Sequence, residues 1–231
     1  DRPNFPTINS QVATEDVTHA VGFTVEDVYN ENKASDFKYA VSVSNQSLFQ
    51  SLAFVTANGS NAVTLNMVPI GDAHGTASVQ VTVTDDQLVP VRVVTQSFVI
   101  TVNNVNDVPG LVGDTATVNY QEGAGATAVV SGIAITDVDL ENMVTATLTL
   151  TPKGNGDEWV YTATQGINFV THNIGSELIL TLSGSASTSD YKTALETVQY
   201  RNVSEDPTGG NRQLAMVVSD GEALSNRVTR N

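Results

Sequence analysis

The stretch Asn103-Asn104-Val105-Asn106-Asp107-Val108-Pro109-Gly110 sets four oxygen-bearing side chains in five positions, just ahead of a proline. A linker needed only for solubility uses Gly, Ser or Lys. Amide and carboxylate oxygens at this density, on a chain stiffened by proline, suit a hard cation. More acids stand in turn-like settings: Glu15, Asp72 in Gly71-Asp72-Ala73-His74-Gly75, Asp137 and Asp139 in Thr136-Asp137-Val138-Asp139, and Asp220 before Gly221. Any one of them alone is better read as a turn residue, whose side chain bonds the nearby backbone. Brought together, Glu15, Asp72, Asp107, Asp137, Asp139 and Asp220 would repel one another unless neutralised, and the linker holds no Lys or Arg. Calcium, which takes about six to eight oxygens from carboxylates, amides and carbonyls, answers that need. Magnesium suits it less, because it keeps its waters and accepts few protein ligands.

Other chemistries find little support. There is no cysteine, which removes disulfides, thiolate-bound zinc, iron–sulfur clusters and thiol nucleophiles. It does not argue for the cytoplasm, since a large secreted domain needs no disulfide. The histidines are His19, His74 and His172, with no pair at metal spacing, no HExxH and no GxSxG. Gly154-Asn155-Gly156-Asp157-Glu158-Trp159 pairs two acids beside the single tryptophan, but no second pair faces them as a glycosidase requires, so a hairpin loop is expected. No enzyme is expected. The rival function is sugar binding, with Trp159 and Tyr161 on one strand face as a stacking platform. A buried Trp159 would end that idea.

Composition agrees. Across 231 residues there are 25 acids against 10 bases, a formal charge of -15, and 40% hydrophobic residues. Nucleic acid is an improbable partner for so acidic a chain, because phosphate contacts need clustered Lys and Arg. No apolar run of membrane-spanning length occurs. The opening Asp1-Arg2-Pro3-Asn4-Phe5-Pro6 is not a natural start, so the chain is expected to be part of a longer protein.

The elements that must position these acids are strands. Apolar residues alternate at Val21, Phe23, Val25; at Phe37, Tyr39, Val41, Val43; at Val63, Leu65, Met67; at Val79, Val81, Val83; and at Phe98, Ile100, Val102. With shorter strands near Ile8–Val12 and Leu52–Val55, about seven are expected before residue 106. The second half repeats the scheme, with Val144 to Leu150, Leu178 to Leu182, and Leu214 to Val218. One segment differs: Tyr191, Leu195 and Val198 stand at helical spacing behind Ser187 and Thr188, which predicts a short helix over about Ser189–Glu196 and a strand from Val198.

The halves superpose as sequences. Asp1-Arg2-Pro3 aligns with Asp107-Val108-Pro109, Glu15 with Glu122, Phe23–Asn32 with Ile133–Asn142, and Val81–Asp86 with Met216–Gly221. This is an internal repeat, giving two all-β, Greek-key sandwich domains over 1–106 and 107–231. The second stops at Ser225-Asn226-Arg227-Val228-Thr229-Arg230-Asn231, short of its own linker motif. If each domain has its ends at opposite poles, strand parity places Glu15 and Asp72 at the lower pole of the first. Asp137, Asp139 and Asp220 then fall at the upper pole of the second. The six carboxylates, with Asn104 and Asn106, are expected to share the junction.

Asn104–Pro109 resembles the linker of cadherin repeats, Asp137-Val138-Asp139 the paired-aspartate motif of that family, and Glu15 its glutamate near the first strand. The chain resembles most the bacterial cadherin-like repeats of large surface adhesins. Its second half, through Leu178–Asn202, is also similar to chondroitin-sulfate-proteoglycan-type repeats. The resemblance implies calcium, held by Glu15, Asp72, Asn104, Asn106, Asp107, Asp137, Asp139 and Asp220, as a stiffener of an extracellular adhesion or extender module. The implied partners are a second copy or cell-surface polysaccharide. The sequence departs from the family at Asn104, at His74 in place of a second acid, and at Tyr29 in Asp27-Val28-Tyr29, where Glu31 could substitute. A polysaccharide-binding module of a secreted hydrolase is the alternative.

Overall fold

A computed structural model describes residues 3–27, 33–87, 90–139 and 142–231. The readings on Asp1, Tyr29 and Glu31 lie outside the described residues. The chain divides into two units, Asp1–Val105 and Asn106–Asn231.

Among the described residues the first unit forms the seven expected strands: β1 (Gln11–Thr14), β2 (His19–Thr24), β3 (Lys38–Val43), β4 (Phe49–Thr56), β5 (Ala62–Pro69), β6 (Gly75–Asp85) and β7 (Arg92–Asn103). They make two sheets, ordered β1-β7-β6-β3 and β2-β5-β4. Period-two alternation explains the layering, because successive side chains leave a strand on opposite faces. Val79, Val81 and Val83 of β6, Phe98, Ile100 and Val102 of β7, and Leu65 and Met67 of β5 all turn into one core. β1 is parallel to β7, while the other pairings are antiparallel. That parallel pairing brings the end of β1 beside the end of β7.

The second unit holds β8 (Gly110–Val112), β9 (Thr127–Ala128), β10 (Ala134–Thr136), β11 (Met143–Thr151), β12 (Asp157–Val160), β13 (Asn168–Ile174), β14 (Glu177–Ala186), α1 (Thr188–Glu196), β15 (Gln199–Asn202), β16 (Gln213–Ser219) and β17 (Val228–Arg230). Its sheets run β13-β14-β11-β16-β17 and β12-β15-β9, with β8-β10 apart. The frame is that of the first unit, widened by the β13–β14 hairpin and followed by α1.

The helix starts where its cap requires. Ser187 Oγ accepts from the Asp190 N–H at 3.1 Å, and Asp190 reaches back to the Ser187 N–H at 3.3 Å. Tyr191 and Leu195, four apart, share the buried face, and the Tyr191 hydroxyl donates to the Gly184 carbonyl at 2.7 Å. Gly184 has φ 139°, and a Cβ there would meet the Gly166 carbonyl oxygen at 2.2 Å, so no other residue fits.

Candidate metal centre

In the first unit, Glu15 follows β1 directly. The parallel ladder carries it to the end of β7, where its N–H donates to the Asn103 carbonyl at 3.2 Å. Its Oε1 accepts from the Val105 N–H at 2.5 Å. The residue is 0% exposed, yet Oε2 has no hydrogen-bond partner. A carboxylate removed from water with one oxygen unanswered is costly as an anion. The next residue, Asp16, holds φ 64°, which Asp tolerates better than most side chains. A Cβ added to Gly71 would lie 3.2 Å from Asp16 Oδ1, so the turn bearing Asp72 lies against the Glu15–Asp16 turn. Asp72 is exposed at φ 62°, and Asn104 is exposed beyond β7.

In the second unit, five of the expected residues form one hydrogen-bonded chain. Asp137 Oδ1 accepts from the Asp139 N–H at 3.0 Å, and Asp139 Oδ2 accepts from the Asp107 N–H at 2.6 Å. Asn106 Nδ2 donates to the Asp107 carbonyl at 3.1 Å and to Asp220 Oδ2 at 3.2 Å. Asp220 Oδ1 accepts from the N–H groups of Glu222 and Ala223, each at 2.7 Å. Burial works to raise the Asp220 pKa. The Ala223 and Glu222 N–H groups and the Asn106 amide outweigh it and hold the carboxyl below its ordinary range.

The expected residues thus fall into two sets: Glu15, Asp72 and Asn104 in the first unit, and Asn106, Asp107, Asp137, Asp139 and Asp220 in the second. Among the described residues no three or more His, Asp or Glu side chains stand together so that they could hold a metal ion. The donor chemistry fits calcium, since every candidate offers carboxylate or amide oxygen and none offers imidazole or sulfur. Glu15 Oε2, buried and unanswered, is the atom a cation would satisfy.

Two further buried acids escaped the sequence reading. Asp85 is 0% exposed; Oδ1 accepts from the Gln87 N–H at 3.1 Å, and Oδ2 has no hydrogen-bond partner. The alignment of Val81–Asp86 with Met216–Gly221 already set it opposite Asp220. Asp157, expected in a hairpin loop, instead opens β12 and is buried. Its Oδ1 accepts from the Tyr200 hydroxyl at 2.5 Å and Asn202 Nδ2 at 2.6 Å; its Oδ2 accepts from Arg212 Nε at 2.5 Å and the Gly154 N–H at 2.6 Å. Burial opposes ionisation of Asp157, but Arg212, Tyr200 and the other donors depress its pKa, while burial and Asp157 push Tyr200 up to about 12. Nothing local in the sequence marks this, because Arg212 lies far along the chain.

Trp159 is only 7% exposed and sits in the core, whereas Tyr161 stacks on Phe169 at 4.7 Å. The two aromatics therefore form no shared stacking platform. Glu122, which aligns with Glu15, is exposed. No helix among the described residues is long and apolar enough to cross a membrane.

No protein-family model and no curated protein matches the chain. Among solved structures, Drosophila N-cadherin EC1-4 is similar at 11% identity and TM-score 0.49, over 100% of this chain and 48% of that one. An endo-fucoidan hydrolase of glycoside hydrolase family 107 aligns at 14% identity and TM-score 0.37, over 100% and 28%. The tandem Ig repeats of Dlar align at 9% identity and TM-score 0.32, over 99% and 95%. The chain spans about half of the N-cadherin fragment and less of the hydrolase.

Proposed function

We propose that this chain is a pair of calcium-stiffened β-sandwich repeats from an extracellular adhesion or extender protein. The observation that carries the reading is Glu15, a fully buried carboxylate with one oxygen on the Val105 N–H and the other unanswered. Calcium beside Oε2 would remove that cost and draw on Asp72 and Asn104. In the second unit, which begins at Asn106, the oxygens of Asn106, Asp107, Asp137, Asp139 and Asp220 would be offered to calcium in the same way. Ligands from both units would restrict the angle between them, which is what a repeat array under load requires.

Extracellular modules bind calcium with Kd on the order of 10⁻⁴ to 10⁻³ M. Such a site is empty at cytosolic calcium and filled outside the cell, so the array stiffens after export. The test is calorimetry and small-angle scattering of the chain in chelator and in millimolar calcium. Calcium should raise the melting temperature and narrow the distribution of interatomic distances. Identical melting and scattering in the two buffers would exclude calcium stiffening. Attachment to cell-surface polysaccharide, or to a second copy, only with calcium would mark an adhesin; stiffening without attachment would mark a spacer.

A further inference from the structure

In the first unit, the sheet containing β6 ends on β3, a six-residue strand that opens with Lys38, paired with Asp86. In the second unit β11 takes the place of β3, since it pairs with β16 as β3 pairs with β6. The sheet does not stop there. β14 adds to β11 and β13 adds to β14, so the edge is β13 (Asn168–Ile174).

An edge strand presents a row of unpaired N–H and C=O groups, and proteins guard it with charge, proline, a bulge or short length. β13 has none of these guards. Asn168-Phe169-Val170-Thr171-His172-Asn173-Ile174 holds no Asp, Glu, Lys, Arg or Pro, and it pairs residue for residue with β14 from Ser183 down to Glu177. By contrast, β12 is four residues long with Asp157 and Glu158, and β4 has an irregular register between Phe49 and Ser51.

The hairpin fixes which groups are free. Ile174 and Glu177 flank the two-residue loop Gly175-Ser176, whose glycine has φ 56°. The pair flanking such a loop is hydrogen-bonded, and bonded pairs alternate along the ladder. Ile174, His172 and Val170 therefore bond to β14. The N–H and C=O groups of Phe169, Thr171 and Asn173 point out of the edge, and no other backbone hydrogen bond among the described residues uses them. Side chains alternate as well. Phe169, Thr171 and Asn173 stand opposite buried Leu182, Leu180 and Leu178, so Val170, His172 and Ile174 lie on the outer face. Val170 and Ile174 are 46% and 60% exposed there.

We infer that β13 is a self-pairing edge: a second copy of this chain adds its own β13, antiparallel, about a two-fold axis at His172. The five-stranded sheets of the two copies then run on into one. Charge selects the occupant. The chain carries a formal charge of -15, and at an uncharged edge two copies meet without setting like charges opposite each other. The outer face selects the register. Antiparallel registers that join the free groups differ by steps of two residues. With His172 on the axis, Val170 of each copy faces Ile174 of the other. A step either way sets Val170 against His172 or against Ser176 of the loop. The same axis keeps the two copies of Glu177, beside Ile174, at opposite ends of the contact. One edge contact is small and weak, and repeats laid side by side multiply it. The inference rests on the adhesion reading above and names its surface. The pairing itself needs no calcium, so its test is run in chelator.

Sedimentation of the full chain over a wide range of concentration should show a reversible monomer–dimer equilibrium. At high concentration, hydrogen exchange should slow at the Thr171 and Asn173 amides and stay unchanged at the His172 amide, which already bonds to β14. Val170→Lys with Ile174→Lys sets lysine against lysine across the axis. It should weaken dimerisation at least about tenfold, although it lowers the overall negative charge. Val170→Lys with Ile174→Glu sets lysine against glutamate in the same register and should restore the dimer. Both positions are exposed in the single chain, so melting read by Trp159 fluorescence should hold in each variant and separates lost pairing from lost folding. A monomer at every concentration overturns the inference. So does a dimer that survives the double-lysine variant, or one formed without slowing at Thr171 and Asn173. Failure of the lysine–glutamate variant to restore the dimer overturns the register. A chain that stays monomeric in chelator yet stiffens in calcium loses the pairing alone, and one that pairs but ignores calcium loses the stiffening alone.

Discussion

Asp157 in the second unit is met by four donors, among them the Arg212 guanidinium and the Tyr200 hydroxyl. Glu15 in the first is just as fully withdrawn from water and is met by one, the Val105 N–H. Both are buried carboxylates of a β-sandwich. Asp157 has its counter-charge built into the chain, and every oxygen is used, so its neutralisation is complete with the protein alone. Among the described residues Glu15 has no ion pair. A buried acid with an internal arginine acts as a fastener. A buried acid without one leaves the protein's stability open to whatever cation the medium offers.

That difference can be broken most forcefully at Asp157. Asp157→Ala strands Arg212 and the Tyr200 hydroxyl, and should cost the second unit about 3–5 kcal/mol. Trp159 fluorescence in a denaturant series reads this loss, which should be the same in calcium and in chelator. A loss confined to one buffer would mean that Asp157 is coupled to the metal after all.

Glu15→Gln sharpens the other side. In chelator the variant should be at least as stable as the parent, because the buried charge is gone. In calcium it should forfeit most of the linkage gain, about 2.7 kcal/mol at a hundredfold excess over Kd. Calorimetry in the two buffers decides; an undiminished calcium response would remove Glu15 from the site. Asp139→Asn should lower the same response from the second unit, because it takes a charge from the chain joining Asp107 to Asp137.

Acid acts on both kinds of site more gently. The folded-state pKa values of Asp157 and Asp220 lie below the ordinary carboxylate value. Their contribution is therefore fully present above about pH 4, where the unfolded groups are ionised, and is lost as pH falls through the lower folded values. The melting temperature of the second unit should hold level down to about pH 4 and decline beneath it. Asp157→Asn should flatten most of that decline. The smallest calcium effect is expected at Asp27, whose motif is broken at Tyr29: Asp27→Asn should leave the calcium-induced rise in melting temperature unchanged.

Much of this was legible in the residues. Alternation at Val79, Val81 and Val83 or at Leu178, Leu180 and Leu182 marks a strand with one buried face, because side-chain direction has the same period wherever a strand forms. Ser187 and Thr188 ahead of Tyr191, Leu195 and Val198 at helical spacing located α1 to within one residue of Thr188–Glu196. Repeated motifs set Asp85 against Asp220 and Glu15 against Glu122. These are local or translational properties, and a linear chain displays them directly. Side-chain solvation is not local. Glu15 and Glu122 are the same residue at the same motif position, yet one is buried and the other exposed. In the first unit β7 brings Asn103 and Val105 onto Glu15, through the Asn103 carbonyl and the Val105 N–H. Trp159 and Tyr161, two apart, could serve a stacking platform or the sandwich core, and the core reading holds for the indole, which is buried, while β12 ends at Val160 ahead of Tyr161. The pairing of Asp157 with Arg212, 55 positions away, was decided only when β12, β15 and the segment before β16 packed together. The sequence by itself determined which residues can be strand, cap or oxygen donor. Tertiary structure decided which of the donors lose their water, because that depends on neighbours brought from distant parts of the chain.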